Sequence, residues 1–90
     1  MINNPAKWYM DRINKRLKAL GDAGHPKRKA IPYVAEKLNL NQTTVWRWTI
    51  PKERRTRGTG GLIPTIHLID LIKVANELGD TEISLEDLVK

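Results

Sequence analysis

The chain has 90 residues, 40% of them hydrophobic, with no cysteine and a formal net charge of +6. That length suits one domain with a modest core, the missing thiols exclude a disulfide framework or thiolate metal site, and no apolar stretch reaches bilayer length. The charge is segregated: residues 1–61 hold fourteen Lys/Arg against four Asp/Glu, net +10, while residues 62–90 hold two against six, net −4. A polyanion would meet the first part, with the second facing away from it.

Taken in chain order, Asn4-Pro5 predicts an N-cap followed by proline at the first helical position. Behind it Ala6, Tyr9 or Met10, Ile13, Leu17 and Leu20 share one side, and Arg12, Lys15, Arg16 and Lys18 lie mostly off that side. Gly21 is a natural helix stop, and residues 21–29 (GDAGHPKRK) form a polar loop ending in three basic residues. Residues 31–50 (IPYVAEKLNLNQTTVWRWTI) hold two short helices. Val34, Ala35 and Leu38 share a face of the first, and Val45 and Trp48 share a face of the second. Between them lies Asn39-Leu40-Asn41, a polar break around one apolar residue. Two steeply crossing helices need a small residue at their contact, which Ala35 supplies. The turn needs a residue that tolerates positive φ, which Asn39 supplies.

Residues 51–62 (PKERRTRGTGGL) are a basic, glycine-rich connector, longer than is usual between helices of a small bundle. In residues 63–79 the spacing of Leu68, Leu71, Ile72, Ala75 and Leu78 predicts a fourth helix, closed by Gly79. Ser84-Leu85-Glu86-Asp87 reads as a capping box opening a short helix with Leu85, Leu88 and Val89. No segment has a strand period and no repeat is visible. The expected architecture is all-α: a compact, single-domain bundle of about five helices over residues 1–90.

The pattern over residues 31–50 resembles the helix-turn-helix of lambda-repressor-like (Cro/cI-type) proteins, especially small phage and prophage Cro-type regulators. Ala35 stands where that family keeps Ala, Val45 where it keeps Val or Ile, and Val34, Leu38, Leu40 and Trp48 where it is apolar. Asn39 replaces the usual Gly, and Ile31 replaces a Gln that often touches a phosphate. Ile63-Pro64 and the acidic turn from Ser84 to Leu88 are similar to the family's lead into its fourth and fifth helices, with the connector an insertion relative to its shortest members. The resemblance is strong over residues 31–50 and loose in the flanks. It implies a lambda-repressor-like fold and a sequence-specific regulator of transcription that binds double-stranded DNA.

The second helix of the pair, around residues 42–50, is then the expected reader, its N-terminus pointing amides and polar side chains into the major groove. Asn41 is expected as its N-cap and near the DNA backbone. Gln42 has the donors and acceptor to pair adenine bidentately, and Thr43 or Thr44 can set a methyl against a thymine methyl. Arg47, one turn on, suits guanine or a phosphate. The family's base contacts fall at the positions matching Gln42, Thr43 and Arg47. Trp46 lies beside them and packs either on DNA or over a thin core; both readings stand. Trp48 is expected in the core, and Trp8 in the core or in a contact of the first helix.

The connector is the second candidate. Lys52, Arg54, Arg55 and Arg57 lie past the reading helix, where lambda-repressor-like docking borders the phosphates. Gly58, Gly60 and Gly61 permit close backbone approach, and Thr59 offers a hydroxyl. Its GTGG lacks the Gly-Lys-Ser/Thr ending of a nucleotide-binding loop. Lys27, Arg28 and Lys29 grip the opposite flank or act by diffuse attraction. His25 and His67 have no ligands or nucleophile at a useful spacing. Asp70, Glu77, Glu82, Glu86 and Asp87 read as solvated acidic faces or as a contact for a second subunit. The expectation is therefore no enzyme activity, cofactor, membrane or small-molecule partner. The expected partners are duplex DNA and a second copy of the chain, in the cytoplasm, with no signal peptide ahead of the first helix. Two other readings stay open: a helical adaptor for a protein partner, and a nonspecific architectural DNA binder.

Overall fold

The computed structural model describes residues 4–20, 29–50 and 58–89. Among them are five α-helices, α1 (Pro5–Ala19), α2 (Ala30–Leu38), α3 (Gln42–Thr49), α4 (Leu68–Glu77) and α5 (Leu85–Leu88), with a 3₁₀ turn (Thr65–His67) leading into α4. No strand occurs among the described residues, and none of the helices is long and apolar enough to cross a membrane. The chain is an all-α bundle.

Each helix follows from local chemistry. The Asn4 side chain accepts the Lys7 amide at 2.9 Å, and Pro5 takes the first helical position. Ala6, Tyr9, Met10, Ile13 and Leu17 are buried, one stripe at helical spacing. The helix ends at Ala19, with Arg16 and Lys18 in its last turn complementing the helix dipole. The expected stop at Gly21 lies outside the described residues.

Asn39 ends α2 in the left-handed region, at φ 56° and ψ 46°. Its amide donates to Glu36 O at 3.2 Å, and the Leu40 amide reaches Ala35 O at 2.8 Å. These are the two bonds of a Schellman turn, and they tuck Leu40 against the core. Gly79 repeats the device after α4. At φ 90° it donates to Asn76 O at 3.0 Å, while the Asp80 amide reaches Ala75 O at 2.9 Å. That positive φ is strained for any residue with a Cβ, which selects glycine there. At α5 the Ser84 amide donates to Asp87 Oδ2 at 3.0 Å, as the capping-box spacing predicts.

Helix α1 packs on α2, α3 and α5; α2 also packs on α3 and α4, and α4 on α5. The centre is filled by Tyr9, Ile13, Leu17, Val34, Val45, Leu71 and Leu88. The buried Tyr9 hydroxyl donates to Leu71 O at 2.6 Å, and burial pushes its phenol well above the usual range. Trp48 lies in this core, as its spacing predicts, and Trp8 packs half-buried at its edge.

Candidate functional site

Helix α3 is short, so its orientation depends on what holds its ends. The C-terminal end is fastened completely. Trp46 O accepts the Thr49 hydroxyl at 2.7 Å, and Arg47 O accepts the Thr59 amide at 3.0 Å. Trp48 O accepts the Thr59 hydroxyl at 3.1 Å and Thr49 O accepts Asn4 Nδ2 at 3.1 Å. Ile50 O accepts the Gly60 amide at 2.9 Å. Every carbonyl that the helix end leaves without an intrahelical donor thus finds one.

The same bonds correct two expectations. The Thr59 hydroxyl proton is shared between Trp48 O and Leu62 O, and the Gly60 amide is spent on Ile50 O. These groups anchor α3 and are not free to meet a phosphate. Gly61 serves the same seam: its carbonyl accepts the Ala6 amide at 3.1 Å, and a Cβ there would lie 2.7 Å from Asn4 Cα. Asn41 takes the place expected of it. It holds the N-cap position with an extended backbone, but its side chain makes no capping bond.

Gln42 and Thr43 are exposed, and Thr44 and Arg47 are half-buried. Trp46 is 47% exposed on the same helix, opposite the buried Val45 and Trp48. Arg47 makes no ion pair with another described residue. Beside this face runs an open groove of about 1040 Å³ between the first half of α1, the start of α2 and α3. Met10, Ile31, Pro32, Trp46 and Ile50 form its apolar wall, with Gln42, Thr43 and Thr49 along α3. Lys7 and Lys29 bring positive charge to it, and Asp11 brings one acid.

Compared with known protein families, with curated proteins and with solved structures, the chain matches none. The candidate site therefore stands on its own geometry. Of the residues expected there, Gln42, Thr43, Trp46 and Lys29 come together on the groove. Thr44 and Arg47, on the same helix, do not line it. Lys27, Arg28, Lys52, Arg54, Arg55 and Arg57 lie outside the described residues.

Sequence reading missed the contribution of α1. Asn4, Lys7, Asp11 and Asn14 recur at helical spacing, and all four line the groove. Asn14 also crosses from α1 to α2, where its side-chain oxygen accepts the Ala30 amide at 2.7 Å and fixes the start of that helix. The stripe is visible in the sequence as polar positions flanking the apolar one. Nothing local tells that it borders α3.

Proposed function

We propose that the chain is a sequence-specific regulator of transcription that binds double-stranded DNA, of the Cro-like repressor type, with α3 as its reading helix. One observation carries the reading: α3 is tied down at its C-terminal end, while Gln42, Thr43 and Trp46 stay exposed beside a groove edged by Lys7 and Lys29. An α-helix about 10–12 Å across with its side chains fits the major groove, about 12 Å wide. The segment that carries this face holds the chain's excess of positive charge. Gln42 would read adenine, Thr43 and Trp46 would meet thymine methyls, and Arg47 would take guanine or a phosphate. Lys7 and Lys29, with Arg54, Arg55 and Arg57 of the connector, would hold the sugar-phosphate backbone.

One short helix reads only a few base pairs, and each correct base adds about 1–3 kcal/mol of discrimination. A second copy on a paired half-site supplies the rest. The apolar wall of the groove favours a second reading, in which a partner's helix lies along Trp46 and Met10.

Selection of bound duplexes from a random pool, followed by salt titration, separates the two. The DNA reading expects a recovered motif with two-fold symmetry, a preference over random duplex of orders of magnitude, and steep loss of affinity with salt. Gln42→Ala and Arg47→Ala should each relax preference at defined positions, whereas Arg55→Ala should weaken all sequences alike. A salt slope without sequence preference would make the chain an architectural binder. Binding to no duplex at all would leave the adaptor.

A further inference from the structure

The groove beside α3 offers more than a duplex would use. Its apolar wall of Met10, Ile31, Pro32, Trp46 and Ile50 is drawn from α1, the start of α2 and α3 with its C-cap. Met10 is buried, Ile31, Pro32 and Ile50 are half-buried and Trp46 is exposed, so the wall runs from the core out to the surface. A duplex along α3 would engage Gln42, Thr43 and the lysines, but its hydrated phosphates gain nothing from carbon behind them. At about 1040 Å³ the groove stands at the upper end of the range, about 300–1,000 Å³, that small ligands fill. Such sites are walled mainly by apolar and aromatic side chains with a few polar groups, as here.

Charge selects the ligand. Lys7, Lys29 and Asp11 line the groove, all exposed and none ion-paired with another described residue. Together they leave one positive charge, within the part of the chain that carries net +10. An anion is attracted there and a cation repelled. The exposed Trp46 ring offers a face for stacking and Met10 a polarizable sulfur, and both favour a flat aromatic body.

We propose that the groove is a binding site for a small aromatic monoanion, a carboxylate or sulfonate on an apolar ring system, lying against Trp46 and Met10 with its head toward Lys7 and Lys29. Gln42, Thr43 and Trp46 line the same groove. The ligand and a duplex read by α3 therefore exclude each other, and the ligand releases DNA. That consequence rests on the proposed DNA reading; the binding itself does not.

Fluorescence titration of the whole chain with anilinonaphthalene sulfonate, up to about 1 mM, tests the site. The expected result is saturation at one dye per chain, with an affinity at least about tenfold above that of uncharged anilinonaphthalene, the same rings without the sulfonate. Lys7→Glu and Lys29→Glu, at exposed positions that leave the core intact, should each weaken the sulfonate several-fold and leave the uncharged dye unaffected. Trp46→Ala should weaken both dyes. Ile69→Glu should change neither; it controls for binding to the apolar pair at the start of α4, where Ile66 and Ile69 are 81% and 61% exposed. The absence of saturable binding overturns the proposal and leaves the groove to a partner's helix. Equal affinity for the two dyes, or a loss through Ile69→Glu in place of Trp46→Ala, overturns it as well. A duplex recovered by selection should displace the dye. A dye that depends on Trp46 yet stays bound beside the duplex would sink the reading role of α3 and leave the site standing, as would a dye bound as described by a chain with no preferred duplex. A preferred duplex bound by a chain that takes no dye would sink the site alone.

Discussion

Asp80 is the residue whose role was least evident beforehand. It is 7% exposed and receives both Arg12 Nε and Arg12 Nη2 at 2.8 Å. Arg12 also lies 5.0 Å from the centre of the Trp8 ring, so one guanidinium joins α1 to the turn after α4 while covering an aromatic edge. The Arg12 hydrogen bonds hold the Asp80 carboxyl below its usual range against an opposing effect of burial. A depressed carboxyl stabilises the fold above its unfolded value near 3.9 and loses that contribution as pH falls through the lower folded value. Asp80→Asn should therefore cost about 2 kcal/mol in urea unfolding at neutral pH, with the gap to wild type closing below about pH 4. The two tryptophans of α3 separate by the same kind of measurement. Trp48→Ala should cost about 3–5 kcal/mol through the cavity it leaves in the core. Trp46→Ala should leave the melting temperature nearly unchanged and weaken DNA binding.

At the scale of elements, two turns govern the geometry. Between α2 and α3 the left-handed conformation falls on Asn39, which adopts it at a cost glycine does not bear. Asn39→Gly should raise stability by up to about 1 kcal/mol, and Asn39→Val should lower it by about 1–2 kcal/mol. The second junction is the seam of Asn4, Thr59, Gly60 and Gly61 around the end of α3. Asn4 makes two bonds there: it caps α1 through Lys7 and ties Thr49 O. Asn4→Ala should cost about 1–2 kcal/mol in thermal unfolding and should also blur the recovered DNA motif, because α3 loses a tether. A variant that loses stability without any change in the motif would show that this seam supports the fold but not the aim of α3.

For the whole molecule, helix positions and core stripes were legible in the sequence because they depend on spacing within one segment. The Asn4-Pro5 start, the buried series from Ala6 to Leu17, the left-handed Asn39 and the Ser84–Asp87 box all appear where local chemistry puts them. The candidate site was legible only along α3. Its other walls come from α1 and the start of α2, brought alongside by packing, and no periodicity within α3 indicates which helix lies beside it. Thr59 and Gly60 were read as phosphate contacts for the same reason. Glycine and threonine after a basic run suit a phosphate, yet the Thr59 and Gly60 donors are taken by the carbonyls of Arg47, Trp48 and Ile50.

What the sequence determined by itself was the set of helices, their apolar faces and the opposed charge of the two parts of the chain. These follow from side-chain type at short range, where backbone geometry leaves few alternatives. Tertiary structure alone decided that Asp80 would be buried under Arg12, that Thr59 and Gly60 would fasten α3, and that Ile66 and Ile69 would stay uncovered. Each outcome depends on which distant groups the packed helices bring within bonding distance, and short-range side-chain chemistry does not encode that distance.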